Sequence, residues 1–387
     1  MHIVEIPSFF PPYGGEFCLE QSHALMARGH RVTIIACVQM SIKRSVKDFV
    51  FFPFSTEKEE IEGVIVERRF LRGIPRVPRL NERRWVTAVM KMFDAYVVRE
   101  GLPDIIHAHC AKWAGRAAME ISRKYDVPFV ITEHLSADVF KTEFAPGSDA
   151  WQIPMLREAY ENADMVVPVS EELVDNLSPY FGTDYHWKAI SNTIDTDFFA
   201  FKERRHEDGR TFTFCCLANF WPLKRYDILF EAFSKMPDNV NLVVAGRGTD
   251  SQAFKDLLAG YACAKRVKML GRIEKEEVRS LLYRSDCLVL ASQSEAQPLS
   301  LVEAMSTGIP VIATDIIPKS ISRFEGCHIV PVNDAEALAA EMKAVSEGTC
   351  IDGKALSEDI ARNFSPEIIG KKLENLFLQI HNSRSWP

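Results

Sequence analysis

Short apolar runs rich in β-branched residues, separated by mixed segments of helical length, set the rhythm of this chain. The first half carries HIVEI, RVTIIAC, VIVERRF, DIIHAH, FVITEH and MVVPVS, and the second half begins the pattern again with FTFCCLA, LVVAG, VKML, CLVLAS, VIAT and HIVP. Runs without strict polar alternation predict strands covered on both faces, as parallel strands between helical layers are. Each half therefore reads as a doubly wound, Rossmann-like α/β domain. The polar stretch KERRHEDGR at 202–210 interrupts the rhythm and places a boundary near residue 200, giving domains over 1–200 and 201–365. Beyond Phe364, Ser365 can cap and Pro366 can open a helix over 366–387, with Ile369, Leu373, Leu376, Phe377 and Ile380 at helical spacing. Spacing alone leaves open which domain this helix covers. Parallel sheets bind ligands beyond the C-terminal ends of their strands, so two such sheets facing each other would make a cleft.

A length of 387 residues agrees with two cores rather than one. The net charge of -7, with both signs mixed throughout, argues against a nucleic-acid partner. One local exception runs from 68 to 84, where Arg68, Arg69, Arg72, Arg76, Arg79, Arg83 and Arg84 face a single acid, Glu82. Interleaved with Phe70, Leu71, Ile74, Val77 and Leu80 and followed by Trp85, the stretch 68–91 reads in two ways. It is a peripheral contact with an anionic membrane or a phosphate-bearing lipid acceptor, or a solvated loop whose arginines pair with the acids at 57–67. Pro75 and Pro78 exclude one continuous amphipathic helix. The nine cysteines are scattered without a CxxC, which predicts neither disulfides nor a zinc site and fits a reducing cytoplasm. MHIVEIP lacks a basic leader, and no apolar run approaches spanning length, so any place at the membrane is peripheral, on its inner face.

The stretch SEAQPLSLVEAMSTGIPVIAT joins an acidic loop, a short helix and an apolar strand. Glu303 falls one turn into that helix, so its carboxylate and the first-turn backbone N–H groups address one pocket. Carboxylates grip sugar hydroxyls and helix N-termini grip phosphates, a pairing suited to a nucleotide-activated sugar. The plainer alternative makes Glu295 a helix-dipole partner and Glu303 a solvated acid. Gly14 and Gly15, just before the first helix, either admit a ligand close to the backbone or simply turn the chain. His107 and His109 sit on one face at the end of DIIHAH; His109 is the better placed to meet a substrate, and His107 reads as a hydrogen-bonded core residue. FVITEHLSAD repeats the arrangement at Glu133 and His134. No third ligand follows HAH at a suitable interval, so no metal is expected there. Lys224 occupies the turn after FTFCCLA, where a cation could neutralise a pyrophosphate. Arg225 follows it on a helix face. Gly246 and Gly248 in LVVAGRGTDS form a broken G-x-G-x-x-G with no acid near the required distance, which disfavours NAD. Asp195-Thr196-Asp197 reads as capping and turn chemistry.

Taken together, PYGG after the first strand, HAH, PVSEEL, SNTIDTDFF, LKR after the seventh strand and SEAQPLSLVEAM resemble family 4 of the glycosyltransferases, retaining enzymes of GT-B fold. The resemblance implies that Glu295, first acid of an E-x7-E pattern, meets donor-sugar hydroxyls and that Glu303 meets the ribose. It implies that Lys224 holds the diphosphate with backbone N–H groups of Gly15, Ser300 and Leu301, Gly14 standing beside them. Arg272 falls where members touch the base, His109 lies by donor sugar and acceptor with His134 on the acceptor side, and the closing helix crosses back onto the N-terminal domain. Two departures stand out. Asn219 occupies the place of a common Arg, so one pyrophosphate-neutralising charge is absent or supplied elsewhere, with Arg247 a candidate, and Ala296 replaces the Gly that usually follows the first acid. The expected activity is therefore a metal-independent, retaining transfer of the hexosyltransferase type, without a cofactor. It would move a sugar from a UDP-linked donor to a hydroxyl acceptor, lipid-linked acceptors included, in cell-surface polysaccharide or glycolipid synthesis. The alternatives are a non-catalytic nucleotide or sugar-binding protein of the same fold and an NAD-dependent oxidoreductase.

Overall fold

Thirteen strands form two sheets in the computed structural model, which describes residues 1–11, 14–42, 46–51, 55–136, 138, 151–203, 211–348 and 351–384. The first sheet contains β1 (His2–Pro7), β2 (Arg31–Met40), β3 (Thr56–Ile61), β4 (Val64–Arg72), β5 (Ile105–His109), β6 (Phe129–Glu133) and β7 (Met165–Pro168). Their spatial order is β3-β4-β2-β1-β5-β6-β7, parallel except for β3, which runs antiparallel to β4. β3 is absent from the apolar runs because TEKEEI is an exposed, charged edge strand, the composition that discourages pairing with a second chain. The second sheet contains β8 (Phe212–Leu217), β9 (Val240–Ala245), β10 (Val267–Met269), β11 (Cys287–Leu290), β12 (Val311–Thr314) and β13 (Cys327–Val330). Its order is β10-β9-β8-β11-β12-β13, and each neighbouring pair is parallel. GT-B is the fold that two doubly wound units of this kind define.

The units divide as Met1–Thr193 with Pro366–Pro387, and Ile194–Ser365. The division thus falls before residue 200, because Ile194 and Phe199 already pack into the second core with Phe214, Phe230 and Leu288. Most of the polar stretch at 202–210 lies outside the described residues. The closing helix, Pro366–Arg384, belongs to the first unit. Its stripe of Ile369, Leu373, Leu376, Phe377 and Ile380 is buried with Ile3 of β1, Ile105 of β5 and Val130 of β6. Burying such side chains contributes about 1.5–3 kcal/mol each. Gly370 lets the helix approach the helix Glu16–Met26, since a Cβ there would lie 2.7 Å from the Ala24 carbonyl oxygen. Arg28 and His30 close the contact on Glu374. The cysteines described are all free. No helix among the described residues is long and apolar enough to cross a membrane.

Candidate functional site

Strand order reverses between β8 and β11, whose loops beyond their C-terminal ends lie side by side, the position where open parallel sheets bind ligands. After β8 the chain enters a tight turn over Pro222–Lys224. After β11 the Gln293 N–H donates to the Leu223 carbonyl at 2.8 Å, which stitches the two loops together. Lys224 Nζ then lies 2.5 Å from Glu295 Oε1, to which Ser292 Oγ also donates at 2.7 Å. Both side chains are mostly shielded, at 20% and 10% exposure, so this ion pair is screened less than one in open solvent. Lysine and carboxylate, placed by sequence at the diphosphate and the sugar, thus meet directly. Arg225 stands apart, paired with Asp227 at 2.8 Å and bonded to Asn333.

Asn219 has a different task from the Arg it replaces. Its Oδ1 accepts the Arg247 backbone N–H at 2.9 Å, and Phe220 N–H donates to the Arg247 carbonyl at 2.9 Å. This docking brings the Gly246 backbone against Ala218, where a Cβ would lie 2.1 Å from the carbonyl oxygen, and φ is +146°. The broken glycine pattern therefore serves contact between two loops. The Arg247 side chain is exposed, and Arg272 is exposed beside Glu274 at 3.7 Å. The helix Leu299–Ser306 opens at Pro298 without a side-chain cap. One expectation changes here: the Leu301 N–H already donates to the Pro298 carbonyl at 3.1 Å, because the first turn closes tightly, so that amide is engaged within the helix. Ser300 and Glu303 are half-buried in the same short helix.

In the first unit the reversal lies between β1 and β5. Gly15, at φ +91°, ends the loop after β1 and could hold no Cβ, which would lie 2.0 Å from the Phe9 carbonyl oxygen. Gly14 is also left-handed, at φ +96°, while Pro12 and Tyr13 of the PYGG motif lie outside the described residues. Beside it a polar network is sealed in the core. Glu5 of β1 accepts from Ser22 Oγ at 2.6 Å and faces His107 Nδ1 at 3.3 Å and His109 Nε2 at 3.5 Å. His107 Nε2 meets Thr132 Oγ1 at 2.7 Å, so His107 is the hydrogen-bonded core residue its position suggests. His109 is fully buried, with Nδ1 3.2 Å from His134 Nε2. Its place at a substrate is therefore indirect in this conformation: His134, half-buried and stacked on Phe17 at 3.8 Å between centroids, is nearer to solvent. Glu133 is structural, accepting from Ala111, His134 and Leu135 N–H groups and from the Tyr160 hydroxyl.

Burial raises the Glu5 carboxyl, but hydrogen bonds from His107 and His109 outweigh it and hold the group at about 2. Burial, with the neighbouring His109, lowers His107 to about 4 and drives His134 well below the ordinary histidine value. Glu5, His107 and His109 each bring one potential ligand atom to within 4.8 Å of the others, so a cation could be held there. The third ligand that the HAH spacing lacks is thus supplied across the sheet by β1. Sequence reasoning missed Glu5; its only sign was a carboxylate inside the otherwise apolar run HIVEI.

Three of the apolar residues in the membrane reading of 68–91 belong to the core. Phe70, Leu71 and Trp85 are buried, and Trp85 Nε1 donates to the Cys37 carbonyl at 2.7 Å, so none of them can insert into a bilayer. Arg68 pairs with Glu59 at 2.9 Å, as the solvated-loop alternative anticipates, and Arg72 caps the Phe49 and Val50 carbonyls. Only Ile74 and Leu80 among the larger apolar residues named there are exposed.

Comparison with known proteins finds matches among glycosyltransferases. Residues 14–198 match the family model described as Glycosyltransferase Family 4, and residues 197–363 match Glycosyl transferases group 1. A Bacillus subtilis (strain 168) protein named as a teichuronic acid biosynthesis glycosyltransferase, TuaC, is 27% identical over 86% of this chain and 85% of its own. The alpha-monoglucosyldiacylglycerol synthase of Acholeplasma laidlawii is 22% identical over 92% and 90%. Among solved structures, HepE of Anabaena in complex with UDP superposes with a TM-score of 0.73 at 17% identity, covering 98% of this chain and 100% of that one.

Proposed function

This chain belongs to family 4 of the glycosyltransferases, and from that premise we propose that it moves a sugar from a UDP-linked donor to a hydroxyl acceptor, with retention of configuration, in polysaccharide or glycolipid synthesis. The observation that carries the reading is the Lys224–Glu295 pair at the switch point between β8 and β11, followed in the chain by the uncapped helix at Leu299. A lysine and a carboxylate held together, followed in the chain by a helix N-terminus, match a ligand that is diphosphate at one end and polyol at the other. The names of the two relatives, one in teichuronic acid and one in glucosyldiacylglycerol synthesis, favour a polysaccharide or glycolipid acceptor, and the UDP complex of HepE favours a uridine donor.

In the donor complex the Lys224 ammonium turns to the diphosphate oxygens, and the Glu295 carboxylate takes sugar hydroxyls in its place. Glu303 binds the ribose, and Arg272 and Arg247 lie toward base and phosphate. The anomeric C–O bond to the diphosphate breaks while the acceptor oxygen bonds to the same face. The acceptor proton passes to the departing phosphate oxygen, so no protein nucleophile is needed. Lys224 and the helix N-terminus stabilise the charge that develops on the leaving group. His109 orients His134 on the acceptor side. Transfer uses no metal, and activity survives excess EDTA; loss restored by added Mg²⁺ or Mn²⁺ would refute this.

The deciding experiment measures release of nucleoside diphosphate from a panel of UDP-, GDP- and ADP-sugars, after thermal shift has identified which ones bind. Acceptor-dependent release from a UDP-sugar is expected. Binding without release under any acceptor would favour the non-catalytic alternative.

A further inference from the structure

The long helix Pro78–Glu100 lays Arg83, Arg84, Thr87, Ala88 and Lys91 along one stripe, and β4 presents Arg69 and Leu71, two residues apart and so on one face, opposite it. These residues line a pocket of about 340 Å³. Four cations surround it, and among the described residues no acid contributes to its lining. That composition is costly, because like charges repel and surfaces ordinarily intersperse both signs. Arg68, one residue from Arg69, has its acid in Glu59, whereas the Arg69 Nε is buried with no hydrogen-bond partner among the described residues. Arg84 is anchored by one hydrogen bond from Nη1 to the Arg72 carbonyl at 2.9 Å, and Arg83 and Lys91 are exposed.

We infer that this pocket is a phosphate-binding site, separate from the donor site in the other unit. Guanidinium groups match phosphate oxygens in forked pairs, Lys91 adds a point charge, and the Thr87 hydroxyl can donate to a further oxygen. A second pocket of about 540 Å³ shares Arg83 and Thr87 and is lined also by Glu82, Glu120, Trp151 and Met155, so a phosphate in the first has room beside it for a ring that carries hydroxyls, from which the two carboxylates can accept hydrogen bonds. Arg79 lies over the Trp151 ring at 5.4 Å, which fixes that aromatic wall. The ligand is thus a phosphate monoester carried either by a soluble molecule or by a lipid headgroup. The inference does not depend on the transfer reaction.

The test uses the full chain with excess UDP, so that the diphosphate site is filled, and titrates inorganic phosphate and glycerol phosphate by calorimetry. Arg83→Gln/Lys91→Gln changes only exposed side chains and should weaken both probes by on the order of tenfold or more, as lost charge-assisted bonds do, while Arg83→Lys recovers part of the loss. Sedimentation with phosphatidylcholine vesicles, with and without phosphatidic acid, assigns the source. Retention of the wild type alone on phosphatidic acid points to a headgroup, and phosphate binding without retention points to a soluble ester. Equal affinity of wild type and double variant for both probes, or no binding by the wild type, would overturn the assignment.

Discussion

Lys224 and Glu295 are seventy-one positions apart and share one hydrogen bond, so each determines what the other can do. Lys224→Ala should lower turnover by on the order of a hundredfold, the scale of one electrostatic stabiliser, with little effect on folding because the side chain makes few core contacts. Near wild-type turnover would mean that the diphosphate is held elsewhere. Glu295→Gln should release the ammonium for phosphate and so preserve or tighten UDP binding while weakening the intact donor. Glu303→Gln should weaken both by roughly 1.5 to 3 kcal/mol if it grips the ribose. Calorimetry with UDP and UDP-glucose separates the two, and equal loss of UDP affinity in both variants would contradict the assignment. At this scale the chemistry-bearing residues in loops were legible, because a Lys or Glu beyond a strand end has few structural reasons to be there. Glu5 was not, since its meaning depends on His107, which lies 102 residues away. Nor was the role of Asn219, whose partner is a backbone amide that no side-chain pattern marks.

Element by element, the apolar runs predict every strand buried on both faces and miss β3, because an edge strand needs no apolar face and its charges read as a connection. The closing helix was legible as a helix from its stripe, while its destination had to come from family resemblance, as an apolar face fits any apolar groove. Its seat on Glu16–Met26 depends on Gly370. Gly370→Val should push the two helices apart and destabilise the first unit by roughly 1–3 kcal/mol, the usual cost of overpacking, even though valine adds apolar surface. A calorimetric unfolding trace would show it, and an unchanged midpoint would mean that the contact yields without cost. The basic stretch at 68–91 shows the reverse problem. Alternating cations and apolar residues looked amphipathic along the chain, yet a strand sends Phe70 inward and a helix sends Trp85 inward, so those two and Leu71 are consumed by the core while Ile74 and Leu80 stay exposed.

For the molecule as a whole, the buried histidines set the response to acid. His107 titrates near 6.5 when unfolded and at about 4 when folded, so the unfolded chain takes up a proton first. Stability of the first unit is therefore complete above about 6.5 and declines as pH falls toward 4, at up to about 1.4 kcal/mol per pH unit per histidine. His134 acts in the same direction. Glu5, held at about 2 against an ordinary 4.5, adds a further loss below 4.5. Glu133, raised by burial, opposes that loss in part. Denaturant melts between pH 7 and 4 should show the decline, and His107→Gln should flatten it; an unchanged slope would mean that the network keeps its protons on unfolding.

Translation runs in the N-terminal to C-terminal direction, so the ribosome completes every strand of the first sheet long before it makes residues 366–384. Until then Ile3, Ile105 and Val130 have no cover from the helix that finally buries them. The unit begun first is thus finished last, whereas Ile194–Ser365 is continuous and can close its own core as it emerges. A nascent chain of this protein spends most of its synthesis with an apolar sheet face open to chaperones. A chain stopped at Ser365 would remain in that state permanently, and it should partition to the insoluble fraction even though every loop assigned here to the donor is present.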